Sequence, residues 1–391
     1  ALIVIAQELA AGSLQTLLER INVVILPRAN PDGAHSNQRV TAGGIDANRD
    51  HLLLKTPEAQ AQAQLVRDYR PVVVVDAHEY VVASRMQDKF GLVQRFDAML
   101  QYATTANYPE FLTKASEEWF RLPLLASFKR EGLTSEWYHT TSDDMNDKKV
   151  AMGGTEPDTS RNVSGLTNAI SFLIETRGVG IGRAHLKRRV HTHVTAISSV
   201  LQQAAARADA LVKLRQFVDN DVSAQACQGE AVVDAAPTPS EYSLLMLDPV
   251  SGADKAVTVA WDSALELRAL KRRARPCGYW LAADQTDAVQ RLRGLGVLVQ
   301  QLAETGVLRG ETYREIERTD PAAAPQVQTV PTLIDVVAGS YYVPLDQPWA
   351  HLALAALEPD TVHSYAAKGL VKLAGEARVM GRPEMKLLPV P

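Results

Sequence analysis

The stretch RPVVVVDAHE, residues 70 to 79, combines four consecutive valines with a histidine and two acids. A short β-branched run that follows a proline is typical of a buried strand. The sequence therefore predicts a strand over residues 72 to 75 that leads directly into His78. Ligand sites of open α/β sheets lie beyond the carboxyl ends of strands, so His78 is a candidate functional residue.

Two motifs follow a second apolar run at residues 23 to 26, which we also expect to be a buried strand. Asn-Pro-Asp-Gly at residues 30 to 33 is by itself a turn signal. Asn48 and Arg49 come next, and they carry a different chemistry. A guanidinium fork binds a carboxylate through two hydrogen bonds, and a neighbouring amide adds a donor. This pair is a candidate site for a carboxylate.

A third apolar run, residues 170 to 174, ends in Glu175 rather than in a turn residue. Burial of a carboxylate at such a position is costly unless it serves a function. Glu175 is therefore a candidate general base. Together the three runs predict an α/β fold whose mostly parallel or mixed sheet is flanked by helices.

In their order along the chain, these motifs resemble those of the zinc carboxypeptidases, peptidase family M14. The spacings are 18 residues from Asn30 to Asn48, 30 from Asn48 to His78 and 97 from His78 to Glu175. Each motif is weak alone, but the ordered set is fairly specific. The resemblance covers roughly residues 1 to 205.

The resemblance implies a role for each residue. His78 corresponds to a zinc ligand, and Glu175 corresponds to the base that activates the zinc-bound water. Asn48 and Arg49 would hold the free terminal carboxylate of a peptide substrate. Arg39, the only Arg from residue 30 to 48, would polarise the scissile carbonyl. The implied protein is a zinc metallocarboxypeptidase, a hydrolase with Zn²⁺ as its cofactor.

The chain departs from the family pattern in two places. The family's first two zinc ligands form a His-x-x-Glu motif ahead of the matched segment. We expect them upstream of Ala1, because residues 2 to 10 have the apolar spacing of a helix entered in its middle. The family also places a Tyr shortly before the Glu, and residues 139 to 175 contain none. Arg161 and His139 are the alternatives for that position.

The other histidines are not expected to complete a zinc site. His191 and His193 are two residues apart on a predicted helix and would diverge. His35 and His51 lie beside the substrate-binding loops, where a solvated loop residue is the ordinary interpretation. Glu79 follows His78 directly, and successive residues of a strand face opposite ways.

Composition excludes several classes of protein. A net charge of −4 over 391 residues argues against nucleic-acid binding, and no apolar run is long enough to span a membrane. The length allows two domains with sizeable cores. We expect a catalytic domain over residues 1 to 225 and a smaller α+β accessory domain over residues 226 to 391. The Pro-containing segment 235 to 240 has the composition of a linker.

The second region predicts strands and one helix but no metal or nucleophile cluster. We expect strands at residues 255 to 261, 278 to 281, 296 to 300, 339 to 343 and 351 to 355, and a helix at residues 286 to 292. Cys227 and Cys277 either pair or remain free, because the redox compartment is not evident from the sequence.

Function stays open between three classes at this stage. A deacylase or amidase on the same scaffold would act on a small acylated amino acid. A peptide- or carbohydrate-binding protein would lack a complete metal site. For a carboxypeptidase, Asp158 either favours a cationic terminal residue or caps its local backbone.

Overall fold

A computed structural model describes residues 1–316 and 324–390 of the chain. The α-helices of these residues are α1 (Leu2–Ala11), α2 (Pro31–Ser36), α3 (Pro57–Tyr69), α4 (Arg85–Phe90), α5 (Glu110–Ala115), α6 (Leu122–Arg130), α7 (Ser160–Leu166), α8 (Leu186–Ala206), α9 (Ala208–Ala224), α10 (Thr286–Gly294) and α11 (Ala350–Leu357). The strands are β1 (Val73–Val81), β2 (Val93–Gln94), β3 (Ala98–Tyr102), β4 (Ser135–Trp137), β5 (His139–Thr141), β6 (Val150–Met152), β7 (Ile170–Val179), β8 (Glu230–Leu247), β9 (Asp254–Ala274), β10 (Gly278–Leu281), β11 (Gln300–Leu302), β12 (Gly306–Glu315), β13 (Val327–Val336), β14 (Tyr341–Pro344), β15 (Glu376–Val379) and β16 (Leu387–Pro389). None of the helices in the described ranges combines the length and the apolar character that a membrane span requires.

The first sheet has the strand order β1-β7-β3-β4 and mixes both pairing directions. β1 pairs with β7 in parallel, β7 pairs with β3 antiparallel, and β3 pairs with β4 in parallel. Helices α7 and α8 pack against β7, and α6 packs against α8. The predicted α/β class with a mixed sheet flanked by helices is confirmed.

Two details of the first sheet differ from the prediction. β1 is an edge strand, so its valines are half-buried rather than fully buried, and it continues to Val81. His78 therefore lies inside the strand and not after its end. Residues 23 to 26 form no strand: Val23 and Ile25 pack against the cluster around α1, while Val24 and Leu26 are 51% and 38% exposed.

The second sheet is built on a long hairpin. β8 and β9 pair with each other, β8 also pairs with β2, and β9 also pairs with β6. The linker predicted at residues 235 to 240 is wrong, because this segment lies within β8. Its prolines are tolerated because the register shifts between Pro237 and Thr238, and irregular pairing does not need every backbone N–H. The domain boundary at residues 225 and 226 stays a prediction.

The third sheet occupies the C-terminal region, in the order β13-β12-β15-β10-β14-β11-β16. The predicted strands at 278 to 281 and 339 to 343 and the helix at 286 to 292 correspond to β10, β14 and α10. Residues 296 to 300 precede β11, apart from Gln300. The strand predicted at 351 to 355 is wrong, because these residues belong to α11; a short apolar run does not distinguish a buried helix from a strand.

The C-terminal region shares a hydrophobic core with the first sheet. One apolar core includes Leu52, Phe172 and Tyr365, and the Tyr365 hydroxyl donates to the Leu52 carbonyl at 3.0 Å. Cys227 and Cys277 form a disulfide that joins the segment after α9 to the start of β10. The two regions therefore share both a core and a covalent link.

Candidate active site

The parallel pairing of β1 and β7 brings together the two central residues of the predicted site. His78 and Glu175 are register partners on these adjacent strands. Residues on the same rung of neighbouring strands project from the same face of a sheet. The register therefore places an imidazole and a carboxyl side by side, as the motifs require.

Asp76 contacts the imidazole of His78. His78 Nε2 lies 2.8 Å from Asp76 Oδ1. Burial opposes the charge on the imidazole, but the negative charges of Asp76 and Glu175 prevail and raise the pKa of His78 to about 9. The pKa of Asp76 is lowered although burial acts against it, because His78 and His51 are nearby.

Glu175 is poised to exchange a proton near neutral pH. Its side chain is buried, and that burial raises its pKa to about 7, against the opposing charges of His78 and Arg39. A general base works best when its pKa is near the operating pH. Glu175 can therefore accept a proton and release it again within one reaction cycle.

Helix α8 fixes the segment that carries His78. The ring of His193 bonds through Nε2 to the His78 carbonyl oxygen at 3.0 Å. Arg189, one turn earlier, makes bonds of 2.8 and 2.6 Å to the two carboxylate oxygens of Glu79. Gly178 leaves room for that carboxylate, since a Cβ there would lie 2.3 Å from it. The rings of His191 and His193 contact different groups: His191 Nε2 lies 3.1 Å from the carboxylate of Glu131, whereas His193 bonds to the backbone of His78.

The Asn-Pro-Asp-Gly motif braces Arg39. The Asn30 side chain caps α2 by accepting from Gly33 N at 2.9 Å, and its amide donates to the Arg39 carbonyl at 3.2 Å. Asp46 then pairs with Arg39 Nε at 2.8 Å. The charge of Arg39 acts on both His78 and Glu175.

Asn48 and Arg49 stand beside this site with their binding groups available. Asn48 Oδ1 accepts from Ser160 N at 2.9 Å, and within the described residues its amide NH₂ has no acceptor. Arg49 is exposed, and its only hydrogen bond in the described residues goes to the Asn48 carbonyl at 2.7 Å. No described carboxylate lies within 4.0 Å of Arg49. Asp50, one possible structural partner, instead accepts from Thr56.

Tyr138 and Arg161 join the site from two further segments. A Cβ on Gly153 would lie 2.5 Å from Tyr138 Cδ1 and 3.0 Å from Arg161 Nη1, so this glycine marks where the two side chains meet. Burial and the charge of Glu175 raise the pKa of Tyr138 to about 12, against the opposing charge of Arg161. Tyr138 was not predicted from the sequence, because it directly precedes residues 139 to 175, where the tyrosine was expected.

His139, the other alternative for the missing tyrosine, faces away from the site. Its ring bonds to Gln94 and to the Trp137 carbonyl, both at 2.8 Å. Burial lowers the pKa of His139 to about 4. Of the two alternatives, Arg161 is the one that reaches Glu175 and its neighbours.

Asp158 is buried and partly engaged. Its Oδ2 lies 3.1 Å from His363 Nδ1, while its Oδ1 has no hydrogen-bond partner among the described residues. Its backbone carbonyl accepts from His51 N at 3.2 Å. Asp158 thus connects the loop of Asn48 to the C-terminal region, and the preference for a cationic terminal residue stays a prediction.

The donor set does not complete a metal site within the described residues. A catalytic zinc takes three protein ligands and a water. No group of three His, Cys, Asp or Glu side chains suited to a metal occurs in residues 1–316 and 324–390. His78 is one candidate ligand, and its Nε2 faces Asp76. His51 is buried beside Asp76 and His78, and burial lowers its pKa.

Known relatives of the chain are carboxypeptidases. Carboxypeptidase 2 of Trichophyton equinum is 28% identical over 377 residues, which cover 92% of this chain and 68% of the relative. Carboxypeptidase 2 of Trichophyton rubrum is 28% identical over 388 residues, covering 95% and 70% respectively. Probable carboxypeptidase 2 of Arthroderma benhamiae is 29% identical over 365 residues, covering 88% and 67%.

No protein-family model matches the chain. Among solved structures, a metallo-carboxypeptidase from Pseudomonas aeruginosa in complex with (2-guanidinoethylmercapto)succinic acid is 22% identical, with a TM-score of 0.39. That similarity spans 54% of this chain and 52% of the other, or about half of each. The sequence relationship to carboxypeptidases extends over about nine-tenths of the chain. The chain is thus similar to carboxypeptidases over most of its length, and its ordered motifs from Asn30 to Glu175 resemble those of the zinc carboxypeptidases, peptidase family M14.

Proposed function

We propose that this protein is a metallocarboxypeptidase that removes the C-terminal residue from peptides. The observation that carries the proposal is the Arg49 guanidinium, which has no carboxylate partner among the described residues and whose charge, like that of Glu175, acts on Tyr138. A guanidinium without a carboxylate partner is suited to bind the carboxylate of a substrate. Glu175, whose pKa is raised to about 7, is suited to act as the general base. The similarity of the chain to carboxypeptidases supports the same activity.

Each residue has a role in peptide hydrolysis. Asn48 and Arg49 bind the free terminal carboxylate and thereby fix the scissile bond. Glu175 takes a proton from the attacking water as the new C–O bond forms, and it delivers that proton to the amine as the C–N bond breaks. Arg39 stabilises the negative charge that develops on the carbonyl oxygen.

We further propose that the cofactor is zinc and that His78 is one of its ligands. Both assignments rest on the resemblance to zinc carboxypeptidases and on the imidazole's place beside Glu175. The described residues do not provide a complete set of zinc ligands. The roles given above for Asn48, Arg49, Glu175 and Arg39 therefore do not include a step on the metal.

The test is hydrolysis by the native protein of a peptide with a free C-terminus. We expect release of single residues from that end, loss of activity with 1,10-phenanthroline and recovery with zinc. Cleavage at internal bonds would indicate an endopeptidase. Cleavage of N-acyl amino acids without peptide cleavage would indicate a deacylase, and peptide binding without any hydrolysis would indicate a binding protein. Each of these three results would overturn the proposal.

A further inference from the structure

Arg161 is a buried cation without a counterion. Its side chain is only 3% exposed, and no described carboxylate lies within 4.0 Å of its nitrogens. Its hydrogen bonds go to neutral groups, from Nη2 to the Gly154 carbonyl at 2.6 Å and from Nε to Asn162 Oδ1 at 3.3 Å. A buried charge is normally paired, because removing it from water costs several kcal/mol.

The nearby acids do not replace the missing partner. The charges of Glu175, Asp76 and Glu156 act on Arg161, but none of these carboxylates lies within 4.0 Å of its nitrogens. Asp76 is engaged by His78 at 2.8 Å. Burial lowers the pKa of Arg161 to about 10, so the guanidinium stays charged.

One guanidinium nitrogen remains available to a ligand. Nη1 makes no hydrogen bond in the described residues, and it is not among the sealed polar atoms of the structure. A Cβ on Gly153 would lie 3.0 Å from this nitrogen and 2.5 Å from Tyr138 Cδ1, so the missing side chain of Gly153 lets Arg161 lie beside Tyr138. A neutral side chain could hold the Gly154 carbonyl equally well, so the backbone contact does not explain why the residue is charged.

Arg161 also stands next to the proposed site for the terminal carboxylate. Asn48 Oδ1 accepts from the backbone of Ser160, the residue before Arg161. The charges of Arg49 and Arg161 both act on Tyr138. A substrate whose last residue carries two carboxylates presents one anion for each of these two cations.

We propose that Arg161 is a specificity-determining residue that binds the side-chain carboxylate of the substrate's last residue. Together with Arg49 it selects peptides that end in Glu or Asp. This inference rests on the proposed carboxypeptidase function and adds a substrate class to it. The acidic terminal residue supplies the counterion that Arg161 lacks.

The test compares peptides of one sequence that end in Glu, Gln or Lys, each as the free acid. Glu and Gln have nearly the same shape, so their ratio isolates the charge. An interaction of about 2 kcal/mol with a desolvated charge corresponds to roughly 30-fold in kcat/KM. We expect the native protein to favour Glu over Gln by at least about that factor and to cleave the Lys peptide most slowly.

Two variants assign the preference to Arg161. Arg161→Gln should bring the Glu-to-Gln ratio close to one, and Arg161→Lys should give an intermediate ratio because it keeps the charge without the fork. Arg49→Ala is the matched control, because it should weaken the selection for a free α-carboxylate while the Glu-to-Gln ratio stays. Equal wild-type rates on Glu and Gln would overturn the inference, as would a ratio that Arg161→Gln leaves unchanged.

Binding measurements separate this inference from the proposed function. Calorimetry on Glu175→Gln protein gives the Kd of the same Glu and Gln peptides without turnover. Tighter binding of the Glu peptide without wild-type hydrolysis would sustain the inference and end the proposed function. Hydrolysis of all three peptides with equal Kd values for Glu and Gln would end the inference and leave the proposed function intact. If Arg161→Gln fails to fold, Arg161→Lys and the wild-type ratio still decide the question.

Discussion

The ion network around Glu358 in the C-terminal region and the candidate active site both contain buried charged groups, but the network pairs its charges and the site leaves Arg161 unpaired. In the C-terminal region, Glu358 accepts from Arg273 at 2.6 Å and from Arg378 at 3.0 Å. Arg273 also pairs with Asp360, and Arg378 with Glu311. In the active site Arg161 has no ion pair at all among the described residues.

We interpret this difference as one between a structural and a functional role. Buried ions that are fully paired stabilise one another, and removing a partner leaves an uncompensated charge. A buried ion left unpaired destabilises the free protein, and a partner such as a substrate would offset that cost. Arg275 of the C-terminal region is also buried without an ion pair among the described residues, so the location of Arg161 beside Tyr138, and not the missing pair alone, favours a functional role. Glu376 is also buried without a hydrogen-bond partner among the described residues, but it is not an unpaired ion. Burial raises its pKa well above the ordinary value, so its carboxyl group stays neutral.

The largest effect is expected at Glu175. Glu175→Gln keeps the size and polarity of the side chain but cannot accept the proton of the attacking water. The rate should fall by about 10² to 10⁴ while substrate binding persists. Steady-state kinetics and calorimetry on the native protein measure the two quantities. Glu118→Gln, at an exposed position, is the control; near-normal activity of Glu175→Gln would remove this residue from the mechanism.

A large loss of stability is expected at Arg378 in the paired network. Arg378→Gln leaves Glu358 and Glu311 without one of their cations, and breaking a buried pair costs about 3–5 kcal/mol. Denaturant unfolding measures this free energy. Arg309→Gln, on the adjoining strand and exposed, should change it by less than about 0.5 kcal/mol. An equally small effect of Arg378→Gln would show that the network contributes little stability.

The smallest effect on stability is expected at Arg161, the unpaired ion. Arg161→Gln loses hydrogen bonds to neutral groups but also removes the cost of burying a charge, so the two changes oppose each other. We expect the free energy of unfolding to change by less than about 1 kcal/mol. A loss as large as that of Arg378→Gln in the same denaturation assay would make Arg161 a structural residue and erase the contrast.

The sequence predicts the centre of the site but not its surroundings. His78 and Glu175 were expected to meet because both follow apolar runs, and they are indeed register partners. Their strands extend past both residues, because backbone pairing continues where the apolar run stops. Tyr138 was missed, since it follows the short strand β4 in a segment without apolar periodicity and reaches the site only through the tertiary fold.

Other errors have the same physical origin. Residues 235 to 240 look like a linker because they contain two prolines, but a register shift accommodates them in β8. The pairing of Asp158 with His363 joins residues far apart in sequence, and no local pattern reports such a contact. The ionisation states of His78 and Glu175 likewise depend on burial and neighbouring charges, which only the folded chain defines.

The central claim is that Arg49 binds a free terminal carboxylate and makes the protein an exopeptidase. The most direct test is kcat/KM of the native protein on one peptide as the free acid and as its C-terminal amide. Removing one partner of a desolvated charge pair costs about 2–5 kcal/mol, or roughly 30- to several-thousand-fold. We predict a preference for the acid in that range, a much smaller preference in Arg49→Ala and an unchanged one in the exposed-site control Arg183→Ala. Equal wild-type rates on acid and amide would contradict the account and favour an endopeptidase or an amidase.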